Sequence, residues 1–459
     1  MINMDGKSSF LDITKNPEVS EFLKDCSFMH EPNGNEIEKI KNQFIHIEKQ
    51  QNVDYPKNII AIASDFYEAK VRDDIPFTNV GYIKVVNFLL KKNLFASLSK
   101  KKFLDPFEVA KFQKDKEAYV FVLPSSNMLY KNEKSVMDSF RLKLYETFKE
   151  YKSDKSSTSN LLETLFYLNS FKNGGNKNEI KLNKCPSCGE ENIVILKTEA
   201  EQFCSNCHSP VYPTDVLRIW EEVKEDSASN ISPLTRLNNA IKHILLAHTL
   251  RMIKEINPNN YRTLLSDIVF VINGPLAIYG TPAWIHSCLQ KIIYDFNKDL
   301  TENHFSKLMI VGMIEESSVL SYANFLNKHI NNSSILCVSD YFRKSYIDYN
   351  KTESSTTFGN ETFYGQDFIY KNDKGRIKVF QIPYPFRDKS NLETFKVEKS
   401  NINNYGDLNK YIKFLDDFDC DMFTNSIIPS VLSKQFSMIS LQPGASMINL
   451  ISKTLISDK

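Results

Sequence analysis

The chain has 459 residues, 42% hydrophobic and 25% charged, with a formal net charge of +1. At roughly 100–200 residues per unit this suggests two to four folding units. The near-neutral balance excludes a globally basic nucleic-acid binder, and the absence of any apolar run near ~18 residues excludes a bilayer-spanning helix.

The first twenty residues lack the charged-then-apolar form of a signal peptide, so a cytoplasmic protein without membrane contact is expected. An amphipathic helix follows over 35–50, with Ile37, Ile40, Phe44 and Ile47 at helical spacing. "KNIIAIAS" reads as a short buried strand, and "VGYIKVVNFLL" as a strand or a helix start. Lys91, Lys92, Lys100, Lys101 and Lys102 form a basic cluster, either a local DNA-contacting patch or an ordinary solvated surface. "SVMDSFRLKLYETFKEY" reads as a helix and "KSDKSSTSN" as an exposed loop. After a cysteine-bearing stretch, Thr214 is placed to cap a helix over 215–223. Ser232 is placed to cap a longer one, with Pro233 at its favoured first position. "DIVFVIN", "LMIVGMI", "ILCVS", "FIYK" and "IKVFQI" read as strands. Helices are expected over 283–296 and 318–329, and a last short strand at "FSMISL". This alternation predicts an α/β layer with some parallel pairing.

"CPSCGEENIVILKTEAEQFCSNC" carries two C-x2-C pairs fifteen residues apart: Cys185, Cys188, Cys204 and Cys207. Two such knuckles complete a tetrahedral thiolate site and leave no open position, so a structural Zn²⁺ is expected. His208 is a spare, expected at the surface.

Several segments in order resemble the NurA family of DNA-end-processing nucleases, in its bacterial form with an inserted zinc ribbon. They are "IIAIASDFYEA", "FVLPSSNMLYKNEKSVMDSFR", the ribbon followed by "PVYPTDVLRIWEE", "FVINGPLAIYGTPAWIH", "FGNETFYGQDFIY" and "FQIPYPF". The resemblance implies an RNase H-like core divided by the ribbon. An N-terminal helical segment spans 1–55, the first part of the core 56–179, the ribbon 180–213 and the second part of the core 214–459. It also implies a Mn²⁺- or Mg²⁺-dependent nuclease that is a homodimer. Such a protein processes DNA with a HerA-like hexameric ATPase, in DNA repair or in defence against phage.

Such chemistry needs carboxylates at strand ends to hold the cations that activate water. The matching positions here hold Ala63, Asn273 of "NGP", and Lys434 in the Ser433–Lys434 step. Asp65, two residues on from Ala63, shares its strand face and either compensates or is a turn residue. Glu68, Asp340 and Asp367 are further candidates; against a site role, Glu68 reads as a solvated turn carboxylate, Asp340 as a helix cap, and Asp367 as a buried hydrogen-bonded group. His243 and His248 are expected to be packed. Tyr364, Phe368 and Tyr370 are either base-stacking groups or core. The resemblance thus allows an active nuclease, or a catalytically impaired scaffold that caps the ATPase ring and guides DNA.

Overall fold

A computed structural model describes residues 16–26, 32–48, 53–72, 74–92, 116–151, 159–198, 200–348, 357–421 and 423–439. Its strands are β1 (Ile45–His46), β2 (Asn58–Lys70), β3 (Asn79–Lys91), β4 (Lys116–Pro124), β5 (Glu179–Lys184), β6 (Glu191–Leu196), β7 (Gln202–Phe203), β8 (Pro210–Val211), β9 (Ile268–Asn273), β10 (Met309–Ile314), β11 (Ser334–Cys337), β12 (Gly365–Lys371) and β13 (Ile377–Pro383). The helices used below are α1 (Pro17–Asp25), α2 (Gly34–Lys41), α3 (Val136–Glu150), α4 (Leu161–Asn169), α5 (Ile231–Ile256), α6 (Tyr261–Ser266), α7 (Ile285–Glu302), α8 (Ser318–Phe325), α9 (Leu392–Glu398), α10 (Leu408–Asp417) and α11 (Ile428–Ser437).

Nine strands form one mixed sheet in the order β4-β3-β2-β9-β10-β13-β12-β11-β1. The antiparallel meander β2–β3–β4 is followed by β9 and β10, both parallel to β2. β13, β12 and β11 then extend the sheet antiparallel. The apolar run "IVFVI" is buried along its whole length because β9 sits mid-sheet with both faces covered. Even-numbered Ile62, Phe270, Ile272 and Ile310 join the core under α5 and α7. Odd-numbered Ala61, Val269, Val271 and Val311 join the core under α10 and α11. This period of two fixes which side chains can meet.

Several expectations are corrected. α2 ends at Lys41, and Ile45 already pairs with Ile335 in β1, so Phe44 and Ile47 lie outside the helix. β3 is a strand of thirteen residues. The helix expected over 215–223 is two short 3-10 turns, Pro213–Leu217 and Ile219–Glu222, broken where Arg218 takes φ 56°. Thr214 is buried inside the first turn and does not cap it; Asp215 instead accepts from the Tyr212 amide at 2.9 Å. α5 begins at Ile231, ahead of Ser232, whose hydroxyl donates to Glu222. Phe436 and Ser437 of "FSMISL" are helical; the stretch from 440 lies outside the described residues, as do residues 152–158 and Lys100 to Lys102. Tyr364, Phe368 and Tyr370 are fully buried core groups and not stacking surfaces. No helix among the described residues is long and apolar enough to cross a membrane.

The ribbon is joined to the main core. Ile180, Ile195, Cys185, Cys204 and Val211 share one buried cluster with Ile62 and Phe270. At its exit, Arg141 of α3 grips Asp215 with two hydrogen bonds of 3.0 and 2.7 Å, and both side chains are 2% exposed. Arg141 also donates to the Pro210 carbonyl at 2.8 Å. Removing Asp215 leaves the buried Arg141 with only the partly exposed Asp138, 2.7 Å away, as counter-ion, so Asp215→Ala is expected to cost about 3 kcal/mol. Denaturant unfolding checks this, and a loss below about 1 kcal/mol contradicts it.

Candidate functional site

The four cysteine sulfurs lie within 4.8 Å of one another. Cys185 and Cys207 are 3.8 Å apart, and Cys188 and Cys204 are 3.7 Å apart. A tetrahedral ion with metal–sulfur bonds of about 2.3 Å requires sulfur–sulfur edges of about 3.8 Å. The two knuckles share a backbone plan. Gly189 N–H donates to the Cys185 carbonyl and His208 N–H to the Cys204 carbonyl, each at 3.0 Å. Gly189 and His208 both take positive φ, 79° and 56°. His208 therefore closes a turn, and the cluster that could hold a metal ion such as Zn²⁺ consists of the cysteines alone.

The second constellation sits on the odd-numbered face of β2, β9 and β10. The parallel register pairs Ile62 with Ile272, and continued by one residue it sets Ala63 beside Asn273. Asn273 pairs with Met313 of β10, and Glu315 follows directly beyond that strand. Gly274 takes φ 110°, which lets the chain reverse after β9. A Cβ there would stand 3.1 Å from Lys242 Nζ, so the turn also needs the space.

Glu315 is the hub, although the sequence reading passed over it. Asn273 Nδ2 donates to its Oε1 at 3.0 Å and to Ser430 Oγ at 2.9 Å. Ser426 and Ser430 hydroxyls donate to the same Oε1 at 2.8 and 3.1 Å, and Lys434 Nζ donates to Oε2 at 2.8 Å. Burial works to raise the Glu315 pKa, but Lys434 and the serine hydroxyls outweigh it, so the carboxyl lies below its ordinary range. Burial likewise opposes the Lys434 charge, and Glu315, with Glu316 and Asp65 behind it, raises that ammonium above its ordinary value. From the other side Lys242 Nζ donates to the Asn273 carbonyl at 2.8 Å. Burial depresses Lys242 to about 8, with Glu315 pulling upward and Lys434 adding to the depression.

Asp65 lies on the Ala63 side of β2, with the phase expected of residues two apart. Its Oδ1 accepts from Phe66 N–H at 2.9 Å and its Oδ2 from Ile439 N–H at 2.8 Å. Ala63 is completely buried.

The other candidates are held elsewhere. Glu68 has the even phase of β2 and binds the Ser125 and Ser229 hydroxyls and the Asn230 amide, tying strand to loops. Asp340 accepts from Lys399 at 2.6 Å, and Ser339 is the residue that caps the turn. Asp367 is bound by Arg343 and by Gln381 Nε2, the latter at 2.6 Å. His243 and His248 are packed, bonded to Tyr364 OH and Thr164 Oγ1 at 2.8 Å each. Among the described residues, the four cysteines form the only His/Cys/Asp/Glu group with metal-binding spacing. One signal for Glu315 was available: "EE" directly after the apolar run "LMIVGMI".

No family model and no curated protein matches the chain.

Proposed function

We propose that the chain is a NurA-like DNA-processing subunit whose metal site is replaced by an internal ion pair. In this reading it acts chiefly as a homodimeric scaffold that caps a HerA-like hexameric ATPase and guides DNA, in repair or in defence against phage. The observation that carries it is Lys434 Nζ on Glu315 Oε2 at 2.8 Å, on the strand face shared by Ala63 and Asn273. An ammonium there supplies the positive charge that a catalytic Mn²⁺ or Mg²⁺ supplies in an active enzyme. Ala63 offers no ligand, and Asn273 offers a neutral amide that a hard cation binds poorly. The strand order β4-β3-β2-β9-β10, a meander with two strands parallel to its first, supports the RNase H-like reading. The four-cysteine ribbon supports a structural Zn²⁺.

A second reading keeps the enzyme. Asp65 and Glu315 are two carboxylates near Lys434, whose side chain is 40% exposed. The experiment is a DNA-binding and degradation assay with Mn²⁺, with and without a HerA-like ATPase. The expected result is binding to DNA and to the ATPase with little cleavage. A strict monomer that binds neither overturns the proposal, and vigorous Mn²⁺-dependent cleavage favours the second reading.

A further inference from the structure

The opposite face of the sheet carries a cavity that this function leaves unused. It opens between the turn after α4, the start of α7 and the segment after β13. Its volume is about 410 Å³, within the span of small-ligand sites. Lys172, Lys291, Arg387 and Lys389 line it, against one lining carboxylate, Asp388.

The cations that line it come from three chain segments. Lys172 Nζ lies 3.8 Å over the Trp284 ring. Lys291 Nζ donates to the Phe171 carbonyl and Asn173 Oδ1, each at 3.0 Å. Lys389 Nζ donates to the carbonyls of Gly359 and Asn360 at 2.7 and 3.0 Å, and to that of Phe363. Within the described residues, none of these three ammonium groups has a carboxylate at ion-pair distance. Arg387 pairs with Asp295 at 3.1 Å, yet its side chain stays 49% exposed at the mouth. Asp388 is exposed, and its Oδ1 accepts from the Ser390 amide and hydroxyl at 3.1 and 2.5 Å.

These three lysines are half-buried, and cations partly withdrawn from water are ordinarily paired, because desolvation opposes their charge. Here burial depresses Lys172, and burial with the nearby Lys399 brings Lys389 down to about 7. Gln290, 2% exposed, also lines the cavity, and its Oε1 has no hydrogen-bond partner. That oxygen can accept from a hydroxyl of a ligand. An oxyanion with several oxygens and up to two charges satisfies ammonium and guanidinium donors better than a planar carboxylate does.

We infer that this cavity binds a phosphate group, with Lys172, Lys291 and Arg387 as its donors and Lys389, whose three N–H groups are taken by backbone carbonyls, as a neighbouring charge. It lies on the α7 side of the sheet, away from Glu315, and stands whether or not that site handles DNA. The phosphate belongs either to a free nucleotide or to a nucleic-acid strand.

The test is calorimetric titration of the full chain with inorganic phosphate, a deoxynucleoside monophosphate and a single-stranded oligonucleotide with and without a 5′-phosphate. At least one of these is expected to bind. Lys172→Gln and Arg387→Gln are each expected to weaken that binding about tenfold or more. Lys307→Gln, outside the cavity, is the control and leaves it unchanged. Binding confined to phosphate and mononucleotide assigns a small ligand, and binding confined to the oligonucleotides assigns a strand. No binding of any probe, or either cavity variant binding as tightly as the unmodified chain while thermal unfolding shows it folded, overturns the inference.

Discussion

Cys185→Ser is expected to abolish the bound Zn²⁺ and to lower stability by at least about 3 kcal/mol, since binding at a structural site is folding free energy. Apparent affinities of such sites reach about 10–16 kcal/mol, comparable to the whole stability of a typical domain. The loss should not stay within the ribbon. Cys185 and Cys204 are buried in the cluster that holds Ile62 and Phe270 of the central strands. Loosening the knuckles also frees Val211 and the Pro210 carbonyl that Arg141 holds. Metal analysis of protein never exposed to chelator should give about one Zn²⁺ per chain. Thermal unfolding of the variant should begin at lower temperature, and chelator should reproduce that shift in the unmodified chain. A metal-free native protein, or a variant that unfolds with the parent, contradicts the zinc assignment.

What could be read in the sequence follows from the range over which each signal acts. The cysteine spacing is local, so the knuckles were legible. The apolar runs at β9 and β10 were legible because strands buried on both faces tolerate little polarity. β2 was read as ending near Ser64, yet it runs to Lys70. Its polar second half is held by pairing with β3, from Asp65↔Lys84 to Lys70↔Asn79, and no local propensity reports that. The apparent helix breaks at Arg218, which takes φ 56°, and Asp215 before it is held by Arg141, 74 positions away. Glu315 was missed for the same reason. Its partners Asn273, Ser430 and Lys434 are 42, 115 and 119 positions distant; the parallel β9–β10 register brings up Asn273, and the packing of α11 on the sheet brings up Ser430 and Lys434. Ala63 and Asn273 were picked out by resemblance, and the face they share follows from the phase of two adjacent strands.

The triple change Ala63→Asp, Asn273→Asp and Lys434→Ala is expected to raise Mn²⁺-dependent DNA cleavage by about a hundredfold or more, the scale on which placed charge acts in an active site. A hard cation needs anionic oxygens to bind and to lower the pKa of its water. Asn273→Asp alone should do little. It sets a second carboxylate beside Glu315, where Lys434 and the two serine hydroxyls already occupy the oxygens. Lys434→Ala alone should also fail, and should destabilise the fold, because it leaves a largely buried carboxylate without its cation. Ala63→Asp introduces a carboxylate where a buried methyl now packs, so by itself it costs stability unless a cation neutralises it. Only the combination supplies carboxylates at 63, 273 and 315 and frees Glu315 Oε2. The measurement is degradation of labelled linear DNA, with circular dichroism confirming the fold. Mn²⁺ should raise the unfolding temperature of the triple variant and leave that of the parent unchanged, a readout that does not depend on turnover. A folded triple variant that neither gains stability from Mn²⁺ nor cuts DNA means that the Ala63–Asn273–Glu315 face is not a vestigial metal site. Robust cleavage by the parent, lost on Glu315→Gln, means instead that Lys434 leaves Glu315 when DNA arrives and that Asp65 and Glu315 hold the cation between them.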